Sequence, residues 1–250
     1  MIKLVISGIA GRMGKRISAL AAEDKDFAVT GGLESEDSPF IGKDIGDVLG
    51  TGGLGKDIES DFEKLASDCD VVIEFTTPEA TMKHLEIAQS NNVAIVIGTT
   101  ALVSSDIDKI KTVSKKIPIV FSPNMSIGAN LLFRITEDAS RSLGEDYEVK
   151  ILEVHHTKKK DAPSGTAKRL GEAVSKVRGK TPPIKSIREG DIAGDHSVIF
   201  TGKYETIELK HSAHSRDVFA KGALLAAKFL KGKKPGLYTM QDVIEVRYGF

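Results

Sequence analysis

Cysteine is nearly absent: Cys69 is the single one in 250 residues. No internal disulfide and no cysteine-rich zinc site can therefore form. Cys69 stands just before an apolar run and reads as a small buried hydrophobe. No apolar run approaches 18 residues, which excludes a membrane-spanning helix. The first residues, with Lys3 and a short apolar stretch, only briefly mimic a signal peptide. Arg12 and Lys15 interrupt the stretch, and Gly8, Gly11 and Gly14 break its helix. A cytoplasmic protein is expected. Internal repeats, low-complexity tracts, Pro/Ser-rich linkers and DNA-binding motifs are also missing. Net charge is absent too, with 35 basic residues against 35 acidic ones.

That zero is a cancellation. Residues 1–125 carry 13 basic and 19 acidic side chains, whereas residues 126–250 carry 22 and 16. The halves also differ in pattern. In the first, β-rich runs at Lys3–Ser7, Phe27–Leu33, Val71–Phe75, Ala94–Gly98 and Pro118–Phe121 alternate with helical stretches. Those stretches are Met13–Ala22, Pro78–Asn91 and Ser104–Lys116. Pro78 suits a first helical turn, where a missing N–H costs nothing. Continuous apolar strands alternating with helices predict a parallel sheet covered on both faces. After residue 125 a helix is expected over Ser126–Leu143, a strand over Tyr147–His156 and a helix over Gly165–Arg178. Two closely spaced β-runs, Ser197–Gly202 and Glu205–Ser212, then precede a helix over Phe219–Lys231. This pattern predicts a second, α+β domain with a mixed or antiparallel sheet.

The first strand runs into Gly8-Ile9-Ala10-Gly11-Arg12-Met13-Gly14 and then a helix. Glycines there allow a tight turn, close approach of backbone to a pyrophosphate, and close packing of helix on strand. The helix start offers unpaired N–H groups and the positive end of its dipole. Glu34, at the end of the second strand, stands where a carboxylate accepts from a ribose hydroxyl. The spacing is G-x-x-G-x-x-G, a variant of the dinucleotide fingerprint, and an ordinary βα turn would use glycine similarly. The carboxylate at Glu34, followed by Ser35, favours a ribose 2′-hydroxyl over a 2′-phosphate, while Arg12 is a cation within reach of that corner. NADH is expected to bind at least as well as NADPH. Phe75-Thr76-Thr77-Pro78 and Gly98-Thr99-Thr100 end later strands, at the sheet edge where such ligands bind. They are expected to wall the nicotinamide, with Gly98 giving close backbone approach.

Residues 150–188 hold 11 basic and 3 acidic side chains. Their centre is Glu153-Val154-His155-His156-Thr157-Lys158-Lys159-Lys160-Asp161-Ala162-Pro163-Ser164-Gly165-Thr166-Ala167. Adjacent strand residues face opposite ways, so His155 and His156 are expected to do different work. Ser164, Gly165 and Thr166 open a helix, combining a serine cap with free N–H groups in an anion site. Lysine supplies charge, and histidine moves a proton near neutral pH. A small anion with more than one carboxylate is the expected substrate. No third ligand accompanies the histidine pair, so no metal is expected. A run of three lysines is by itself an ordinary solvated surface.

Glu153–Ala167 closely resembles the E-x-H-H-x-x-K-x-D-A-P-S-G-T-A signature of the 4-hydroxy-tetrahydrodipicolinate reductase (dihydrodipicolinate reductase) family of lysine biosynthesis. The resemblance extends through Gly8–Gly14, Phe75–Pro78, Gly98–Thr100, Asn124–Gly128, Gly190–His196, Ser215-Arg216 and Gly236–Met240. It implies a Rossmann-like nucleotide domain over 1–125 and 219–250 and a substrate-binding and tetramerisation domain over 126–218. It also implies cofactor contacts from Gly8, Ile9, Ala10, Gly11, Arg12, Met13, Glu34, Phe75, Thr76, Gly98, Thr99, Thr100, Ser122, Pro123, Asn124 and Met125. His155 matches the family's proton donor/acceptor and Lys159 its proton donor, while His156, Gly165 and Thr166 would hold substrate. NADH or NADPH and a homotetramer are further implications. Two departures stand out. Ser35 replaces an Arg common after the ribose-binding Glu, which puts NADPH affinity in question, and the stretch between Arg178 and Gly190 is short. A non-catalytic nicotinamide-binding regulator is the rival reading. It would keep the glycine loop and Glu34 without needing His155 and Lys159.

Overall fold

The computed structural model describes residues 1–248; the last two residues of the expected 219–250 segment, Gly249 and Phe250, lie outside the described residues. The chain divides into two compact units, Met1–Met125 with the segment from Phe219 onward, and Ser126–Val218.

In chain order the first unit contains β1 (Ile2–Ser7), α1 (Arg12–Ala22), β2 (Phe27–Leu33), α2 (Ile45–Leu49), β3 (Ile58–Glu59) and α3 (Glu63–Ala66). It continues through β4 (Val71–Glu74), α4 (Pro78–Ser90), β5 (Ala94–Ile97), α5 (Ser104–Val113) and β6 (Pro118–Phe121). The second unit contains α6 (Ile127–Leu143), β7 (Glu148–His155), α7 (Gly165–Arg178), β8 (Ile184–Arg188), β9 (Asp195–Thr201) and β10 (Thr206–Ser212). Then α8 (Asp217–Leu230), β11 (Gly236–Tyr238) and α9 (Met240–Tyr248) return the chain to the first unit.

Seven strands form the first sheet in the order β11-β6-β5-β4-β1-β2-β3, and every pairing is parallel. All four residues of β4 and of β5 are buried, because helices cover both faces. Leu85, Ile87, Ala88, Ile110 and Val113, from α4 and α5, pack on Val72, Ile95 and Ile97. The chain runs outward from β1 to β2 and β3, then returns to β4 on the other side of β1. The carboxyl ends of β1 and β4 therefore flank the point where strand order reverses, the usual ligand position in such sheets.

The second sheet has the order β10-β9-β7-β8. β7 pairs antiparallel with β9 and parallel with β8, with α7 as the crossover between β7 and β8. Alternation in β7 turns Val149 and Ile151 into a core with Leu132, Phe133, Leu170, Val174, Val198 and Phe200. Glu153 and His155 continue that same inward row and are buried too. A mixed sheet was expected here.

The helix expected to reach Lys116 ends at Val113; residues 114–116 are a turn whose N–H groups bond back to Ile110, Thr112 and Val113. β3, β8, β11 and the short α2 and α3 carried no pattern in the sequence. β3 has two residues and β11 three, too few to show a period, and β8 follows directly on Pro182-Pro183. Cys69 packs against the first unit's core, and burial pushes its thiol up to about 12, so it stays protonated and inert.

Candidate active site

The loop after β1 is shaped by what its glycines exclude. Gly8 adopts φ +72, a conformation that side chains rarely take. A Cβ at Gly14 would lie 2.1 Å from the Gly8 carbonyl oxygen and 2.5 Å from Ile9 Cα. Helix α1 can sit this close to β1 only because that side chain is missing. Gly11 caps α1 without any side-chain hydrogen bond, and the first turn has no acidic residue. By contrast Thr77, Ser126 and Ser164 cap α4, α6 and α7. The start of α1 thus keeps its N–H groups and dipole for an external anion.

A cavity of about 750 Å³ opens here, lined by Gly8, Ala10, Gly11, Glu34, Phe75 and Thr76 among others. Glu34 Oε1 accepts from the Ala10 N–H at 2.8 Å, which ties the ribose-position carboxylate to the loop. These features fit a dinucleotide, with the pyrophosphate on the open helix start and a ribose beside Glu34. The other residues expected at the cofactor behave differently. Ile9 is fully buried and packs towards Gly32. Arg12 is exposed and Met13 half-buried, and neither lines the cavity. The Phe75 ring fills the space beside Gly98, where a Cβ would fall 2.4 Å from Cζ. The role expected of Gly98, close approach of backbone to ligand, is here close approach to Phe75. Thr99 Oγ1 accepts from the Thr76 N–H at 3.2 Å and from the Thr81 hydroxyl at 2.8 Å, binding two strand-end loops together. Thr100 and Pro123 are exposed. Ser122 donates to the Asn124 carbonyl at 2.7 Å, and Met125 is buried.

Several lining residues were missed by sequence reasoning. Ala80, Lys83 and His84 lie at i, i+3, i+4 on α4 and form one helical face towards the cavity, a signal present in the spacing. Ser35, Glu36, Ser38 and Phe40 come from a loop without periodicity. His84 Nδ1 lies 2.7 Å from Glu74 Oε1 and 3.2 Å from Ser7 Oγ, beneath the cavity wall.

In the second unit the Glu153–Ala167 signature becomes a three-dimensional cluster. His155 ends β7, and its Nδ1 bonds the carboxylate of the fully buried Glu153. The other Glu153 oxygen accepts from Arg188 on β8 at 2.9 Å and from the Ser164 N–H at 3.3 Å. Arg188 also donates to the Asp161 carbonyl at 2.5 Å, pinning the lysine loop. Burial works to raise the Glu153 carboxyl, but hydrogen bonds from Arg188 and Ser186 and the charges of His155 and Arg188 overcome it and hold it at about 2. His155 lies below its ordinary value, because burial outweighs the pull of Glu153.

His156 points elsewhere: it is half-buried, and its Nδ1 has no partner. Lys159 pairs with Asp161 at 2.7 Å and is mostly covered, while Lys158 and Lys160 are exposed. Ser164 is buried. Its Oγ accepts from the Ala167 N–H at 3.2 Å and lies 3.1 Å from His196 Nε2, so its hydroxyl is used inside the protein. Gly165 and Thr166 open α7 on the accessible side.

The cluster has a member that sequence reasoning did not reach, His196 on β9. Its ring meets His155 edge to face at 5.0 Å, and burial drives it down to about 3, so it is neutral. Ligand atoms of Glu153, His155 and His196 lie within 4.8 Å of one another, a third partner that the spacing did not reveal. The Arg188 cation already on Glu153 opposes a second cation there; His155 Nδ1 is taken by Glu153 and His196 Nε2 by Ser164, while His196 Nδ1 has no partner.

This arrangement can bind a carboxylate at a helix start beside a lysine, and can move protons through a carboxylate-supported histidine. Comparison with known proteins shows the family. Residues 2–125 match the family model for the dihydrodipicolinate reductase N-terminus, and residues 128–244 match that for its C-terminus. The 4-hydroxy-tetrahydrodipicolinate reductases of Syntrophus aciditrophicus and Geobacter metallireducens are 42% and 41% identical, over 99% of this chain and 100% of each relative. A dipicolinate-bound dihydrodipicolinate reductase from a Paenisporosarcina species shares the fold, with TM-score 0.81 at 22% identity over 96% of this chain and 97% of that one. An amine dehydrogenase from Mycobacterium smegmatis superposes at TM-score 0.71 with 12% identity, over 96% of this chain and 95% of that one. With both halves matched and relatives aligned from end to end, the chain belongs to the dihydrodipicolinate reductase family.

Proposed function

We propose that this chain reduces 4-hydroxy-tetrahydrodipicolinate to tetrahydrodipicolinate at the expense of NADH or NADPH, in the diaminopimelate route to lysine. The reduced nicotinamide supplies the hydride when bound. The C4–oxygen bond of the substrate breaks, a C–H bond forms in its place, and one proton leaves with the oxygen as water. The observation that carries this reading is the buried Glu153–His155 pair, one turn of chain from Lys159 and tied to the start of α7.

The residues divide the work. The N–H groups of Gly165 and Thr166 and the ring of His156 hold the substrate's carboxylates. Lys159 brings a proton and positive charge as electrons enter the ring, and His155 handles the second proton transfer. Gly8, Ala10 and Gly11, at the open start of α1, seat the cofactor's pyrophosphate, and Glu34 accepts from its ribose. Phe75 and Thr76, Gly98–Thr100 and Ser122–Met125 form the nicotinamide end. A non-catalytic regulator would need the glycine loop but not a carboxylate buried to support a histidine.

The test is direct. Purified protein mixed with NADH and freshly made substrate should consume NADH, and dipicolinate should compete with the substrate. No NADH consumption at any protein concentration ends this reading. We further assign a homotetrameric, cytoplasmic enzyme. Among the described residues no helix is long and apolar enough to cross a membrane. Alternation leaves Leu152, Val154 and Ile199 half-exposed on the sheet face away from the core, an apolar surface suited to another subunit. Light scattering on the purified protein checks the assembly.

A further inference from the structure

Glu153 is given no contact with substrate or cofactor in the division of work above, yet it meets His155, Arg188 and Ser164 at once. One carboxylate oxygen meets His155 Nδ1; the other takes the Arg188 guanidinium at 2.9 Å and the Ser164 N–H at 3.3 Å. It is fully buried, on the same inward face of β7 as His155 two residues on. Through these contacts one carboxylate joins the histidine, the residue that caps α7 and, by way of Arg188, the carbonyl of Asp161 beside Lys159.

We infer that Glu153 is the positioning residue of this site, fixing His155 as its Nδ1–H tautomer and locking that ring to the carboxylate-binding start of α7. The argument is one of donors and acceptors. An ionised carboxylate can only accept. Arg188 keeps Glu153 ionised across the working range of pH. Nδ1 of His155 must then carry the hydrogen, which leaves Nε2 as the nitrogen that gains or loses a proton. Nε2 lies on the side of Gly194, where a Cβ would sit 3.0 Å from it. The same charge stabilises the imidazolium whenever Nε2 takes up a proton, as a buried carboxylate does for the histidine of a catalytic triad. His196 completes the mounting. It is neutral, its Nε2 is hydrogen-bonded to the Ser164 hydroxyl, and its ring packs edge to face with that of His155.

This inference rests on the reductase reading for its kinetic consequence but not for its geometry, so two measurements test it. The first is the nitrogen-15 spectrum of His155 in histidine-labelled, otherwise unmodified protein at neutral pH. A protonated Nδ1 and an unprotonated Nε2 are expected; a hydrogen on Nε2 overturns the proposal. The second is Glu153→Gln. Its carboxamide oxygen is claimed by Arg188 and Ser164, so its NH₂ faces His155 and can only donate. The tautomer should invert. Then kcat should fall about 10²-fold or more, with KM for both substrates within about threefold, and Glu153→Asp should restore the Nδ1–H form and part of kcat. A Gln variant with wild-type tautomer and kcat sinks the proposal. If the Gln variant fails to fold, the wild-type spectrum decides. If the wild-type spectrum is as expected but the protein never turns over substrate, the reductase reading falls and the placement of Glu153 stands.

Discussion

The two candidate sites are made of different materials. In the first unit the binding surface is backbone: Gly8 in its positive-φ turn, the uncapped start of α1, and the absent side chain of Gly14. In the second it is a set of ionisable side chains, Glu153, His155, Lys159, Arg188 and His196, held by one another. Peptide N–H groups do not titrate, so the first site depends on shape and little on pH. The second depends on charge and proton position. If the proposed sites hold, this is how an acidic half of the chain takes a dianionic cofactor while the basic half takes a dicarboxylate. On the proposed reading the cofactor's phosphates meet dipoles alone, and the substrate's carboxylates meet a helix start set beside Lys159 and the histidines.

The sharpest way to break this comparison is to exchange the kind of damage. Gly14→Ala places a methyl against three backbone atoms that cannot turn aside, the closest at 2.1 Å. Destabilisation by more than about 3 kcal/mol in urea titration is expected, with loss of NADH binding. Gly165→Ala adds the same methyl at the other helix start, where nothing lies within 4 Å, and should leave stability within about 1 kcal/mol. Next in size is Lys159→Ala. Its exposed-edge ion pair with Asp161 contributes little to folding, about 0–1 kcal/mol. Its kcat should nevertheless fall about 10²–10⁴-fold if it is the proton donor. A lysine variant with near-normal kcat would remove it from that role.

The same difference governs what could be read in the sequence. The glycine loop was legible because its determinants are local: residues 8, 11 and 14 lie within one turn and Glu34 ends the next strand. Strands β1, β2, β4, β5 and β6 were legible because each is a short, mostly apolar β-rich run between turns. The partners of His155 were not. Arg188 and His196 come from β8 and β9, 33 and 41 residues further along, and reach His155 only through strand pairing. Arg188 carries no local sign of its role, and the Gly190–His196 resemblance marks His196's stretch without naming its partner. Ser164 shows a subtler limit. Its position as a helix cap was readable, but its hydroxyl faces His196 inside the protein. The Gly98 contact with the Phe75 ring likewise depends on the packing of two strand ends.

Acid should separate the two units. Burial lowers His155, His196 and His211, all in the second unit, with His196 at about 3. A buried histidine held neutral binds fewer protons folded than unfolded, so stability is complete above the unfolded value near 6.5 and falls with pH down to the folded value. Each such group contributes a slope of up to about 1.4 kcal/mol per pH unit. The lowered groups of the first unit are carboxylates such as Asp24, Asp44 and Asp68, whose contribution fades only below their unfolded value near 4. Glu153 behaves like them, losing its share between about 4.5 and 2. Between pH 7 and 5, amide-exchange protection corrected for intrinsic rates should therefore drop in β7, β9 and α7 while β1, β4 and β5 hold. Equal losses in both units would break the comparison, and His196→Gln should flatten the dependence of the second unit.

The smallest expected effect probes the charged side chain that the glycine loop itself holds in the backbone-built site. Glu34 Oε1 already accepts from the Ala10 N–H at 2.8 Å, so the residue supports the loop whether or not it also takes the proposed ribose hydroxyl. Glu34→Gln keeps an acceptor oxygen for Ala10 and removes only the charge. Stability should therefore move by less than about 1 kcal/mol. The carboxylate repels a 2′-phosphate, so its loss should shift kcat/KM for NADPH relative to NADH by about tenfold towards NADPH, a difference of about 1.4 kcal/mol. Glu34→Ala removes the acceptor too and should also raise KM for NADH. If the Gln variant leaves the ratio unchanged while the Ala variant weakens both cofactors equally, Glu34 acts on the loop alone. The first site would then owe its ligand entirely to backbone, and the choice between NADH and NADPH would have to come from other lining residues, with the Lys83 cation the first to test.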